Sequence, residues 1–202
     1  MAVVGCTIFY DDNLDLLERC LASLRARVDT LVAVDGAFAS FPHERASSSE
    51  AHLQVARRYA DVLWTTGVPW HDEVEKRNAY LEHVDNGDWA LVLDADEELH
   101  GELGELDSRQ VGYDLLLHQS WLKPRGVFRL FQKWPGVRYK GAHNAVFNAR
   151  GDLLNLASAG TLPGLTIEHH TWERPPARVE AKGVYIRALA ERERAFREEH
   201  RL

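Results

Sequence analysis

The fold of this chain turns on the stretch Trp89-Ala90-Leu91-Val92-Leu93-Asp94-Ala95-Asp96-Glu97-Glu98. Five apolar residues in succession, without polar alternation, suit a strand buried on both faces of a parallel sheet. The run stops on two acids set two residues apart. On extended backbone such side chains share a face, so Asp94 and Asp96 are expected to point the same way. Two carboxylates facing one direction at a strand end suit a hard divalent cation, Mg2+ or Mn2+, with positions left for phosphate oxygens. The competing reading is an acidic loop that caps the next helix.

Upstream, strands and helices alternate. Ala2 to Phe9 is an apolar, β-branched run and reads as a buried strand. Leu14, Leu17, Leu21 and Leu24 follow at helical spacing, with Asp12 or Asn13 as N-cap. Leu31 to Val34 is a second strand ending at Asp35-Gly36, Ser49 to Ala60 a helix, and Asp61 to Trp64 a third strand. Asp72 caps the next helix with Glu75 as its capping-box partner. Val74, Leu81 and Val84 give that helix an apolar face, and Asn86-Gly87 ends it. This order implies an α/β fold: a mostly parallel central sheet flanked by helices. Ligands bind such sheets beyond the C-terminal strand ends, where Asp11, Asp35 and Asp94 fall. After Asp107 come short strand candidates: Tyr113 to Leu117, Val127 to Phe131, Val137 to Tyr139, Ala145 to Asn148 and Leu165 to Glu168. They read as antiparallel strands added to the same sheet in the C-terminal half. Pro175-Pro176 opens a final helix carrying Val179, Ile186 and Leu189.

Composition bounds the function. The 202 residues carry 24 Lys and Arg against 31 Asp and Glu, a net charge of −7, which disfavours coating nucleic acid through bulk charge. No apolar run approaches a membrane span. Met1 to Cys6 has no basic region and does not read as a signal peptide. Cys6 and Cys20 are too few for a disulfide framework, so a reduced, cytoplasmic compartment is expected. The charge is segregated. Glu82 to Asp107 holds ten acids and no Lys or Arg; Trp121 to Arg150 holds seven basic residues and no acid. That division suits a site holding a cation on one side and an anion on the other, or two stretches that pair across the surface.

Three further groups carry candidate chemistry. Lys76 and Arg77 are adjacent on a helix and cannot share one face, so one is expected to reach an anion while the other is solvated. Ile167-Glu168-His169-His170 ends a short apolar strand, and adjacent residues there point to opposite sides, so at most one histidine joins a given site. An imidazole beside carboxylates tilts a metal site toward Mn2+. Lys123, Arg125, Arg129, Lys133, Arg138, Lys140 and Arg150 are interleaved with Trp121, Phe128, Phe131, Trp134, Tyr139 and Phe147. Aromatics stack on sugars and bases while cations meet phosphates; equally, the aromatics fill a core.

The ordered series Thr7-Ile8-Phe9-Tyr10, Val34-Asp35-Gly36-Ala37-Phe38, Glu75-Lys76-Arg77-Asn78 and Leu91 to Leu99 resembles the GT-A fold of family 2 glycosyltransferases. Arg129-Leu130-Phe131, Gly136 to Tyr139 and Gly141-Ala142-His143 resemble a downstream segment of that family. The resemblance spans Val3 to about Trp172 and implies one catalytic domain over 1–202. Within it, 1–107 would bind the nucleotide sugar, 108–175 would form the acceptor side and 176–202 a C-terminal helix. It implies sugar transfer from a nucleotide-sugar donor, a UDP-sugar in the first instance, to an acceptor hydroxyl. Phe9, Tyr10 and Asp35 would bind the nucleotide, with Asp35 on the nucleoside. Arg77 would lie near the diphosphate, Asp94 and Asp96 at ribose and metal, and His169 or His170 would complete the metal shell. Where many relatives carry a basic Glu after the residue matching His143, this chain has Asn144, which takes no proton at neutral pH. His143, Asp114, Glu97 and Glu98 are then the candidate bases. The acceptor is either a saccharide precursor or a hydroxymethylated base in DNA. A nucleotidyltransferase and a non-catalytic sugar- or nucleic-acid-binding module are the competing classes. Oligomeric state is left open.

Overall fold

A computed structural model describes residues 1–120, 122–141, 145–157, 160–174, 176, 179–185, 187–188, 191 and 194. The sequence's apolar runs become strands β1 (Val3–Phe9), β2 (Thr30–Asp35), β3 (Val62–Trp64) and β4 (Trp89–Asp94). They alternate with helices α1 (Leu14–Arg25), α2 (Glu50–Tyr59) and α3 (Glu73–Leu81). Asn13, rather than Asp12, caps α1, its side chain accepting from the backbone of Asp15 and Leu16. Asp72 caps α3 by accepting from Glu75 N, while Glu75 reaches back one residue further, to His71 N. α3 stops at Leu81, short of the expected Asn86-Gly87, and Leu81 and Val84 still bury against the sheet.

The C-terminal half adds β5 (Glu97–Gly101), β6 (Gly112–Gln119), β7 (Leu122–Gln132) and, after two short strands, β10 (Thr161–His169). The order across the eight-stranded sheet is β3-β2-β1-β4-β7-β6-β10-β5. β5 and β7 run against the rest, and the sheet is mostly parallel and flanked by helices, consistent with a GT-A-like fold. Two placements differ from the expectation of antiparallel additions to one sheet. β10 lies parallel to β6, and β8 (Arg138–Tyr139) with β9 (Val146–Phe147) forms a separate small antiparallel sheet. β5 is a strand that the sequence reading does not contain: two glutamates at its start hide it, and its next residue, Leu99, is in the core.

Only Ala95 and Asp96 separate β4, fourth across the sheet, from β5 at its far edge. So short a link requires the sheet to curl. Inside the curl Leu93, Leu99, Leu115, Leu117, Leu130, Leu165 and Ile167 pack with α1 and α2 in one apolar cluster. α3 covers the opposite face over Cys6, Ile8, Val34, Val92 and Phe131. Of the interleaved aromatics, Phe131 and Tyr139 fill this second core and Trp134 is exposed; Trp121 lies outside the described residues. The curl brings the C-terminal ends of β1, β2, β4 and β10, and the start of β5, to one rim. The final helix is described over 179–185, where it covers that rim; Ile186 and Leu189 lie outside the described residues. No helix among the described residues is long and apolar enough to cross a membrane.

Candidate active site at the strand ends

Two cavities open on this rim. The first, about 740 Å³, is lined by Phe9, Tyr10, Asp12, Phe38, Phe41, Glu73, Lys76, Arg77, Asp94, Arg174, Lys182 and Tyr185 among others. The second, about 1240 Å³, lies toward β6 and β7 and is lined by Glu97, Arg125, Phe128, Arg129, His169 and Thr171 among others. Asp94, Arg174 and Lys182 line both, so the cavities meet there.

Asp94 is the hub of a buried ion network. Its Oδ1 accepts from Arg77 Nη2 at 2.5 Å and its Oδ2 from Arg129 Nη2 at 2.7 Å. Arg77 also donates through Nε to Glu73 Oε1 at 2.7 Å, and Arg129 to Glu97 Oε1 at 2.6 Å. Glu97 Oε2 accepts from the Asp94 backbone N–H. Burial disfavours the Asp94 carboxylate, but Arg129 and Arg77 outweigh that and hold it well below the usual carboxylate range. Glu97 moves the other way: burial raises it, and Asp94 adds to the rise against the pull of Arg129.

Asp94 and Asp96 do not point the same way. Ala95 and Asp96 form the turn that ends β4, so the alternation of an extended strand is broken between the two acids. Asp96 instead turns toward the end of β10. Its Oδ2 lies 3.0 Å from His169 Nε2 and accepts from Thr171 Oγ1 at 3.1 Å; Arg174 Nη2 is 3.0 Å from Oδ1, and Lys182 Nζ 3.9 Å from Oδ2. These cations and the His169 hydrogen bond keep Asp96 ionised despite its burial. His170 faces the opposite side, its Nδ1 2.9 Å from Glu173 and its Nε2 3.6 Å from Glu98. The alternation expected of the histidine pair is therefore observed, with His169 on the cavity side. Asp96 Oδ2 and His169 Nε2 stand 3.0 Å apart as hydrogen-bonded partners, and Thr171 Oγ1 lies 2.6 Å from the same imidazole nitrogen. A divalent cation held by this pair would have to displace that hydrogen bond and stand beside Arg174 and Lys182, and Asp96 itself is fully buried and lines neither cavity. Asp94 has both oxygens committed to arginines, and among the described residues no group of three or more His, Cys, Asp or Glu could hold a metal.

Lys76 and Arg77 are both buried, which overturns the expectation that one is solvated. α3 meets the sheet rim with its first turns, so two sides of the helix are covered at once. Lys76 Nζ donates to Phe9 O at 2.6 Å and Gly36 O at 2.5 Å, tying the ends of β1 and β2, while Arg77 turns to β4. Burial moves Lys76 down to about 7, against the attraction of Asp35 and Asp12. The folded value lies below the unfolded one, so between about pH 7 and 10.5 the unfolded chain binds a proton that the folded chain lacks. Stability from this group therefore rises with pH across that window, and the cost of burying the cation is felt in full below it. Relative to Lys76→Met, the wild type is expected to gain a few degrees, on the order of 5 °C, in melting temperature from pH 7 to pH 10. A constant difference across that range would refute the assignment.

The other expected site residues separate into those facing a cavity and those holding loops. Asp35 is fully buried, accepts from Ser48 N with both oxygens and lines neither cavity. Asp11, with φ 38°, accepts from Ser49 N and pairs with Arg45. Two of the three acids at the rim thus anchor the segment after β2. Asp114 sits beside Gly126 on β6, and neither it nor Glu98 lines either cavity. His143 and Asn144 lie outside the described residues. Sequence reading missed Arg174, Lys182 and Tyr185. Tyr185 stacks on Phe38 with centroids 5.5 Å apart and planes at 11°, and meets Phe41 edge-on. Lys182 and Tyr185 stand three apart on a helix, a spacing that places them on one face and could have drawn notice.

No family model matches the chain. A TPR repeat-containing protein of Synechococcus elongatus is 36% identical over 149 residues, which is 69% of this chain and 34% of that protein. The chain thus spans about a third of the length of the curated relative it matches. Two crystal structures of S. aureus TarS resemble 61% of this chain. One, at TM-score 0.42 and 15% identity, is covered over 23% of its length; the other, of residues 1–349, at 0.41 and 14%, over 37%. The fold assignment therefore rests on the chain's own strand order and rim.

Proposed function

We propose that the chain transfers a sugar from a nucleotide-sugar donor, a UDP-sugar in the first instance, to an acceptor hydroxyl. The observation that carries this reading is the meeting of two unlike cavities at Asp94, Arg174 and Lys182. One is lined by aromatic rings, Phe9, Tyr10, Phe38, Phe41 and Tyr185, and by the cations Arg174 and Lys182, which suits a nucleoside diphosphate. The other is broader and mixes apolar with polar walls, as a sugar acceptor requires. In this reading Phe38, Phe41 and Tyr185 receive the base, with Phe9 and Tyr10 alongside. Arg174 and Lys182 meet the diphosphate, where their charge opposes the negative charge that grows on the leaving group. Arg77 acts at one remove: its guanidinium is bonded to Glu73 and Asp94, so it fixes Asp94 at the junction.

Asp96 and His169 would hold Mn2+ or Mg2+, which would supply a Lewis acid at the diphosphate oxygens. Asp35 holds Ser48 and thereby the segment that presents Phe41. On the acceptor side, Arg129 holds Glu97 and Asp94 in place beneath the attacking hydroxyl. Heating the protein with UDP, with Mn2+, and with both tests the reading. The expected result is a shift of several degrees with both together, larger than the sum of the separate shifts, because ligands of the native state stabilise it by mass action. No shift in any combination, together with no turnover of UDP-sugars, would remove it.

A further inference from the structure

The acceptor-side cavity has a surplus of positive charge on the wall away from the donor. Its acids are matched: Asp94 by Arg77 and Arg129, and Glu97 by Arg129. Arg174 and Lys182 stand at the junction beside Asp96. Arg125 is different. It lies on the outer half of β7, opposite Leu117 in β6, and it is exposed at the cavity wall. Among the described residues it has no ion-pair partner. It shares the cavity with the apolar Leu117, Val127, Phe128 and Val179 and the neutral polar Asn155 and Thr171. Lys123, two residues further out on the same exposed strand segment, adds a second cation beyond the rim. An unpaired cation at a cavity wall attracts an anion into the cavity. The planar guanidinium fits a phosphate or carboxylate in two-pronged fashion.

From this, we propose that the acceptor is a saccharide or polyol bearing an anionic group, phosphate or carboxylate, near the hydroxyl that attacks, and that Arg125 is the residue that selects it. The inference rests on the glycosyl-transfer reading and gives its acceptor a chemical class. The neighbouring hydroxyl, not the anion, receives the sugar, so Arg125 is a specificity residue outside the reacting atoms.

The test uses the full chain with UDP and Mn2+ present. Four probes are titrated: neutral dextran, a polyuronate, a glycerol-phosphate polymer, and a single-stranded oligodeoxynucleotide. The expected result is binding of the glycerol-phosphate polymer, the polyuronate, or both, with dextran weaker by about tenfold or more. Whichever of the two binds names phosphate or carboxylate as the source. Arg125→Gln is expected to lose that preference by about tenfold while keeping the wild-type thermal shift with UDP and Mn2+. That retained shift shows a folded donor site, and it separates failure of this inference from failure of the glycosyl-transfer reading. Dextran binding equal to the acidic polymers, an Arg125→Gln variant with unchanged preference, or binding of the oligodeoxynucleotide alone would each overturn the proposal.

Discussion

Arg77→Ala is expected to lower stability by about 3–5 kcal/mol, the largest effect of any single exchange at the rim. The side chain is 2% exposed and bridges Glu73 Oε1 and Asp94 Oδ1, with Nη1 3.4 Å from Tyr80 OH and the guanidinium over the Tyr139 ring at 5.7 Å. Removing it takes the i+4 guanidinium from the buried Glu73 carboxylate and one of the two arginines from Asp94. A buried ion pair adds little net stability when intact, because desolvation offsets the attraction, but breaking one side leaves an uncompensated charge. For a chain of this size about 1 kcal/mol corresponds to 2–4 °C, so the melting temperature is expected to fall by roughly 6–20 °C. Arg77→Lys is expected to recover only part of this, since an ammonium cannot span two carboxylates through separate Nε and Nη2 donors. Charge removal at both ends should relieve the loss. In Arg77→Ala with Glu73→Gln, the double variant should be more stable than the sum of the singles predicts, by about 1 kcal/mol or more. Thermal melts of the four species check it. Strict additivity would show that Glu73 and Arg77 do not act as a pair.

The elements were readable where local chemistry fixed them. The apolar runs of β1, β2 and β4, the caps at Asn13 and Asp72, and the apolar face of α3 each follow from residues close in sequence. β5 was not readable, because Glu97 and Glu98 outweigh the single core residue Leu99 in a short window, and its pairing with β10 is long-range. At the site, residue types were legible and partners were not. Asp94, Asp96 and His169 were all singled out, yet the sequence paired Asp94 with Asp96, whereas the turn at Ala95-Asp96 pairs Asp96 with His169 across 73 residues. Of Lys76 and Arg77 one is expected to reach an anion and the other to be solvated, because helical geometry separates neighbours by about 100°. That argument assumes one covered face, and α3 packs against β1 and β2 and also against β8, so more than one side is buried. Asp35 and Asp11 show the converse: acids at a ligand-binding rim can be consumed in holding backbone N–H groups of an adjoining loop.

The second large effect falls on Asp96. If Asp96 and His169 hold the divalent cation, Asp96→Asn is expected to reduce UDP-sugar turnover by about a hundredfold or more, since a lost Lewis acid at the diphosphate costs several kcal/mol of transition-state stabilisation. The fold should tolerate the change better than removal of Arg77, because the amide keeps the shape of the side chain and one oxygen for Thr171. Arg174 keeps Asp12 as a partner, and Lys182 lines both cavities. The decisive readout is therefore separation of two binding events. Asp96→Asn is expected to keep a shift with UDP alone no smaller than the wild type's, because Arg174 and Lys182 stay at the junction without the opposing charge of Asp96, while the extra shift from Mn2+ disappears. His169→Gln should lose the Mn2+ increment as well, whereas His170→Gln, on the far side against Glu98 and Glu173, should keep it. A Mn2+ increment that survives in Asp96→Asn would place the ion elsewhere. Loss of the increment in His170→Gln but not in His169→Gln would reverse the assignment of the two histidines.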